Sequence, residues 1–333
     1  MAKQVGGEVV AAFLREHRNL PSRSAARMLT ELHPGLFKDI ETARARVRYY
    51  RCAQGKRNAI RAAGNGLARP HGSQRDAVWD LPEPIGEAHT WREIPVECRR
   101  ALVISDIHIP FHDRAALDLA LKEGKRRAVD CVILNGDVVD FHSVSFWERD
   151  PRLRDLSAEL EATEYFLESL RDRFPKARIV YKDGNHEERL PRWVWTHVPE
   201  FAGLAGLQLK NLLHLDDYGI EHVGDKQPLR VGPHLRILHG HEFRAPFLNP
   251  VNPARGLYLR CKCNALCGDL HQTSQHTESG LTHTVSTWSV GALCDLRPKY
   301  MPLNKWNAGF AVVEVRGDAW SVENLKIIGG QVV

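Results

Sequence analysis

From residue 100 onward one pattern repeats: a short run of apolar, β-favouring residues, then a polar cluster. Ala101-Leu102-Val103-Ile104 runs into Ser105-Asp106-Ile107-His108, and Cys131-Val132-Ile133-Leu134 into Asn135-Gly136-Asp137-Val138-Val139-Asp140. Arg178-Ile179-Val180-Tyr181 precedes Gly184-Asn185-His186-Glu187, and Leu235-Arg236-Ile237-Leu238 precedes His239-Gly240-His241. Helix-like stretches over 114–127 and 156–173 separate the early runs. Strands alternating with helices, with chemistry-bearing groups at strand C-termini, predict an α/β sheet whose site gathers along one edge.

Ahead of this region the period is helical. Val9, Phe13 and Leu14 have helical spacing, and Pro21-Ser22-Arg23-Ser24 resembles a helix start, followed by Ala25, Met28, Leu29 and Leu32. His33-Pro34-Gly35 breaks the chain, and a third helix is expected from Phe37 to about Arg51. Residues 62 to about 98 are rich in glycine and proline and lack periodicity, as a linker does. The expected organisation is a basic, helix-turn-helix-like domain over 1–62, a linker over 63–98, and a catalytic α/β domain over 99–333.

Charge changes the picture at the N-terminus. The 333 residues carry a net +5, but residues 1–70 hold 14 basic and 5 acidic side chains, leaving −4 for the rest. A basic end on an acidic body suggests an arm that meets a polyanion. In the expected third helix Arg44, Arg48 and Arg51 recur at spacings of four and three, on one face, making them candidate nucleic-acid contacts. No apolar run approaches a membrane span, and the first residues do not form a signal peptide. Seven cysteines fit a reducing cytoplasm better than a disulfide framework. Cys261-x-Cys263-x-x-x-Cys267 lacks the second paired half of a zinc site and is expected in a helix-like run.

The residue types at the strand ends suit two metal ions. Asp106 and His108, two apart on an extended segment, project the same way and can chelate one ion. Asp137 is placed to bridge two cations, and Asn185 and His239 offer ligands for the second. Such a donor set favours manganese, iron or zinc, and two ions ~3.5–4 Å apart would activate water and clamp a phosphoryl group.

The series Asp106-x-His108, Gly136-Asp137-x-x-Asp140, Gly184-Asn185-His186-Glu187 and His239-Gly240 resembles the calcineurin-like metallophosphoesterases, over about residues 100 to 316. The stretch Trp306–Val313 and the basic N-terminal helices look like phosphoesterases of phages and prophages. The resemblance implies a four-layer α/β/β/α sandwich with the metal centre at the strand ends. It implies that Asp106, His108 and Asp137 hold the first metal, and that Asp137, Asn185 and His239 hold the second. His186 would be the general acid, oriented by Asp140, and Glu187 would support its loop. A metal-bridging hydroxide would attack phosphorus in line.

One position departs from the pattern. Where the family carries Gly-His-x-His, this chain has Gly268-Asp269-Leu270-His271. His271 is expected to complete the first site and Asp269 the second, with His276 or His283 as replacement ligands. Arg189 is a candidate phosphate clamp or the partner of a loop carboxylate, and His241 a candidate cleft residue. Trp193 and Trp195 could stack on a base or pack at the rim. The expected activity is hydrolysis of phosphoesters with two divalent ions, manganese first, then iron, zinc, nickel or magnesium. Nucleic acid is the first substrate class. The alternatives are a protein or small-molecule phosphatase, and a non-catalytic module of the kind the family's retromer subunit represents.

Overall fold

The computed structural model describes residues 2–51, 92–147, 150–153, 155–224, 226–243 and 251–333. They belong to two units, Met1–Ala88 and His89–Val333. Most of the predicted linker, 63–91, lies outside the described residues.

In the first unit the helical spacing becomes α1 (Ala2–Glu16), α2 (Ser22–Leu32) and α3 (Ile40–Tyr50). Each turns one apolar face inward, burying Val10, Phe13, Leu14, Ala25, Ala26, Leu29, Ala43 and Val47. Asp39 stops the preceding loop and caps α3, its carboxylate accepting from the Thr42 amide at 2.7 Å. The expected basic face needs correction. Arg51 is only 6% exposed and donates to Ser22 Oγ at 3.1 Å, tying the end of α3 to the start of α2. Arg44 folds onto Glu41 at 3.3 Å and is half-buried, so of the three arginines Arg48 is the exposed one. An arginine one residue past the helix is close enough to the bundle for its donors to reach α2, and the 3.6-residue period does not register that.

The second unit is built on a seven-stranded sheet in which β2 (Arg100–Ile104), β3 (Cys131–Asn135), β4 (Arg178–Lys182) and β5 (Ile220–Val223) run parallel. On the far side of β2 lie β11 (Ala308–Arg316), β12 (Ala319–Ile328) and β13 (Gln331–Val332), antiparallel. Helices α4 (Arg114–Arg126) and α5 (Leu156–Arg173) make the crossovers that parallel neighbours require.

The strands are apolar on both faces because both are covered. Leu102, Ile104, Val132, Leu134 and Ile179 pack with Leu117, Leu121, Leu167 and Leu170 of the two helices. The alternate residues Ala101, Val103, Cys131, Ile133 and Val180 pack with Val231, Ile237, Leu266 and Trp288 of a second sheet. That sheet has the order β1 (Ile94–Val96), β6 (Leu229–Val231), β7 (Leu235–Ile237), β8 (Ala265–Cys267), β10 (Thr284–Ser289), β9 (Ser274–Ser279). Outside it, Leu257 of a further helix (Pro253–Cys261) packs with Ala265 and Cys267. The four layers are helix, sheet, sheet, helix.

Two expectations change. Ile94–Val96, read as linker, pairs in parallel with Leu229–Val231, because Val96 has an apolar face to bury. The three cysteines do not share a helix: Cys261 ends one, Cys263 follows it, and Cys267 is on β8.

Candidate metal centre

Every group expected at the centre sits just beyond a strand end, where the backbone turns sharply. Asp106, His108, Asp137, Asp269 and His271 all have positive φ, between 52° and 63°. A non-glycine residue held there costs about 1–3 kcal/mol, and such strain clusters at functional sites. Gly136 has φ +83°, and a Cβ on it would run into His239 Nδ1 and meet Gly184 Cα at 2.8 Å. A Cβ on Gly184 would strike Asp137 Oδ1 and lie 2.9 Å from His239 Nε2. Both glycines let the backbone close around donor atoms that a side chain would displace.

Those atoms form two nests. In the first, His108 Nε2 lies 3.1 Å from His271 Nε2 and 3.7 Å from Asp137 Oδ2, and His271 Nε2 lies 3.3 Å from Asp106 Oδ1. In the second, His239 Nε2 lies 3.1 Å from Asn185 Oδ1, 3.3 Å from Asp137 Oδ1 and 3.7 Å from Asp269 Oδ1. Donors bound 2.0–2.2 Å from one ion stand about 3.0–3.5 Å apart. The two oxygens of Asp137 face different nests. His239 Nδ1 donates to the Asn135 carbonyl at 2.7 Å, and His108 Nδ1 to Asp140 Oδ1 at 3.0 Å. Each bond leaves the Nε2 lone pair aimed into a nest.

The electrostatics call for cations. Burial opposes ionisation of Asp137, but the imidazoles of His186 and His239 hold its carboxyl well below the usual range. Burial likewise opposes ionisation of Asp106, and His271 lowers it. The cost falls on Asp269, raised by burial and by Asp137 and Asp106. His271 is pushed up to about 10, because Asp106 outweighs burial. Imidazoles that must take up protons to balance buried carboxylates occupy the place where divalent ions would supply that charge. The donor set fits such ions.

His186 stands beside the shared carboxylate. Its amide donates to Asp137 Oδ1 at 2.9 Å, and its Nδ1 is 3.0 Å from Asp140 Oδ1. Arg189 does not point into open space. It donates to the Asp140 carbonyl at 2.8 Å, and lies 3.4 Å from the Asp140 carboxylate and 2.7 Å from His186 Nε2. His241 is held by Glu188, 3.1 Å away. Glu187 accepts from the amides of Asp137, Val138 and Gly184 and from the Tyr181 hydroxyl, all at 2.8–2.9 Å. The replacement ligands are elsewhere: His276 is on β9 beside Glu278, and His283 is exposed. Trp193 stacks on His197, and Trp195 is exposed.

Three contributors left no mark in the spacing. Cys294 is buried, with Sγ within 4.8 Å of ligand atoms of His108 and His271. Lys182, wholly buried at the end of β4, pairs with Glu242 at 2.8 Å. Glu242 accepts from the amides of His239 at 2.9 Å and Gly240 at 2.6 Å, fixing that turn. A lone cysteine, and a lysine at the end of an apolar run, are signals too weak to read without the fold.

A family model described as calcineurin-like phosphoesterase matches residues 99–264. The Gene 54 protein of Mycobacterium phage L5 is 26% identical over 246 residues, 70% of this chain and 95% of the relative. Its counterpart from Mycobacterium phage D29 is 26% identical over 248 residues, with the same coverage. Among solved structures, vacuolar protein sorting 29 from Cryptosporidium parvum is similar with TM-score 0.41 and 13% identity, covering 71% of this chain and 95% of its own.

Proposed function

The unit His89–Val333 carries a calcineurin-like phosphoesterase domain, and from that premise we propose that it hydrolyses phosphoesters with two divalent ions, on a nucleic-acid substrate. The observation that supports this most is the pair of donor nests sharing Asp137. Asp106, His108, Asp137 and His271 would hold one ion, and Asp137, Asn185, His239 and Asp269 the other. When bound, two such ions polarise the phosphoryl group and make water nucleophilic at neutral pH. The oxygen-rich second nest favours manganese or magnesium over softer ions.

The remaining residues position and move a proton. Asp140 accepts a hydrogen bond from His186 Nδ1 and fixes the ring, so Nε2 is the atom that would serve a leaving oxygen. Arg189 now occupies that nitrogen. For His186 to carry a proton on Nε2 the guanidinium must give way, and an arriving phosphate oxygen is a better acceptor for it. Burial lowers the pKa of His186, which eases proton release.

Nucleic acid enters through charge. Arg15, Arg23, Arg27, Arg46 and Arg48 of the first unit are exposed, in a segment of net +9. The reading is tested by turnover of p-nitrophenyl phosphate and its bis-ester across Mn²⁺, Mg²⁺, Zn²⁺ and Ni²⁺. Metal-dependent release of nitrophenolate, lost in Asp137→Asn, is expected. Metal-loaded protein that cleaves neither ester would overturn it.

A further inference from the structure

Beside the first nest lies a cavity of about 340 Å³ that the hydrolytic groups do not account for. His108, His271 and Asp140 line one part of it, and Phe111, Tyr300 and Trp306 another. The aromatic surface continues outward from the metal-ligand imidazoles. Trp306 packs edge-on against His271 with ring centres 4.2 Å apart, and Tyr300 lies 6.4 Å beyond Trp306. Phe111 leans on His142 at 5.1 Å. Phe111 is 36% exposed and Tyr300 63%, so neither ring is buried in a core. These rings come from separate segments, one following His108 and the other preceding β11, yet they border one space.

The chemistry of the walls narrows the occupant. Aromatic faces accept a planar ring. Asp150, Asp295 and Lys299 also line the cavity. A carboxylate there accepts from sugar hydroxyls or exocyclic amines, donors that a simple phenol lacks. Three aspartates against one lysine give no positive field to gather a second phosphate, so the group that enters carries no further negative charge. The volume is near the lower end of the ~300–1,000 Å³ range of ligand pockets, room for one such group and not for a run of them.

We propose that this cavity is the leaving-group subsite for a single nucleoside. Resting on the hydrolase reading, this makes the substrate a phosphoester whose leaving oxygen belongs to the nucleoside seated there, either that of a free mononucleotide or the terminal one of a strand. Water forms the new bond to phosphorus, the bond from phosphorus to the nucleoside oxygen breaks, and a proton ends on that oxygen. Nothing is oxidised. The subsite adjoins Asp140, which orients His186, so the leaving oxygen would emerge on the side where a proton is available.

The test compares adenosine monophosphate with glycerol phosphate, which presents the same phosphate without a ring. Phosphate release is measured for wild type and Tyr300→Ala, which alters a residue set apart from His271 by the Trp306 ring. Binding of adenosine itself is measured by equilibrium dialysis, independently of turnover. Wild type is expected to prefer the nucleotide, and Tyr300→Ala to lose about tenfold or more in kcat/KM for it through KM, the size of a lost base stack. Glycerol phosphate should be unaffected by the substitution. Comparing the mononucleotide with an oligonucleotide bearing a terminal phosphate distinguishes the two sources of nucleoside. Equal kcat/KM for the two small esters, with no adenosine binding, would overturn the subsite and leave the hydrolase reading standing. Adenosine binding that Tyr300→Ala abolishes, in a protein that cleaves no ester, would sink the hydrolase reading while upholding the pocket. A preference for p-nitrophenyl phosphate over the nucleotide that depends on Tyr300 would assign the cavity to phenols and refute the nucleoside.

Discussion

Asp137 is the residue on which both nests depend, since each of its oxygens faces a different imidazole cluster. Asp137→Asn removes the shared charge and should lower bound metal from two per chain to one or none, read by elemental analysis after dialysis. Retention of two ions would contradict the sharing. Asp269 belongs to the second nest alone. Asp269→Ala should therefore strip one ion selectively, and Asp269→His should shift preference from Mn²⁺ or Mg²⁺ toward Zn²⁺ or Ni²⁺ in competition dialysis. An unchanged metal content in Asp269→Ala would remove it from the ligand set. These residues were legible because each ends an apolar run, and four such clusters in order are hard to explain by packing. Cys294, Tyr300 and Trp306 were not. Each is a single residue whose neighbours are set by how the strands bring distant segments together.

At the scale of elements, the strand runs were readable, but their assignment to sheets was not. Leu235–Leu238 has the same apolar character as Ala101–Ile104, and nothing in four residues says that it pairs in a different sheet. The resemblance to a known family supplied the second sheet. One buried ion pair links the two sheets: Lys182 at the end of β4 meets Glu242 just after β7. Burial opposes ionisation of Glu242, but Lys182 prevails and lowers its pKa from 4.5 to about 2. Because the folded pKa is the lower one, the pair's stabilisation is complete above about pH 4.5 and disappears as pH falls toward about 2. Glu242→Gln leaves Lys182 buried without its counter-charge and should cost about 3–5 kcal/mol at neutral pH. In urea titrations the gap between wild type and variant should narrow across that acid window. A gap independent of pH would show that the carboxylate's charge is not what holds the turn.

Over the whole molecule, charge divides the chain into a +9 segment of 70 residues and a remainder of −4. Composition made this visible, while the helical period overstated it: Arg51 is committed to the bundle and Arg44 to Glu41. If the first unit meets nucleic acid, the exposed Arg46 and Arg48 should contribute to the contact along with Arg15, Arg23 and Arg27. Replacing both by alanine should weaken binding to a single-stranded oligonucleotide and flatten its dependence on salt by about two counterions. Binding that is insensitive to both would dissociate the basic unit from nucleic acid. Two paramagnetic ions held by one carboxylate would couple to each other. Electron paramagnetic resonance of the protein loaded with two equivalents of Mn²⁺ reads that directly. A spin-coupled pair, replaced by isolated Mn²⁺ in Asp137→Asn, is the predicted result; wild-type protein showing only isolated, uncoupled ions would contradict it.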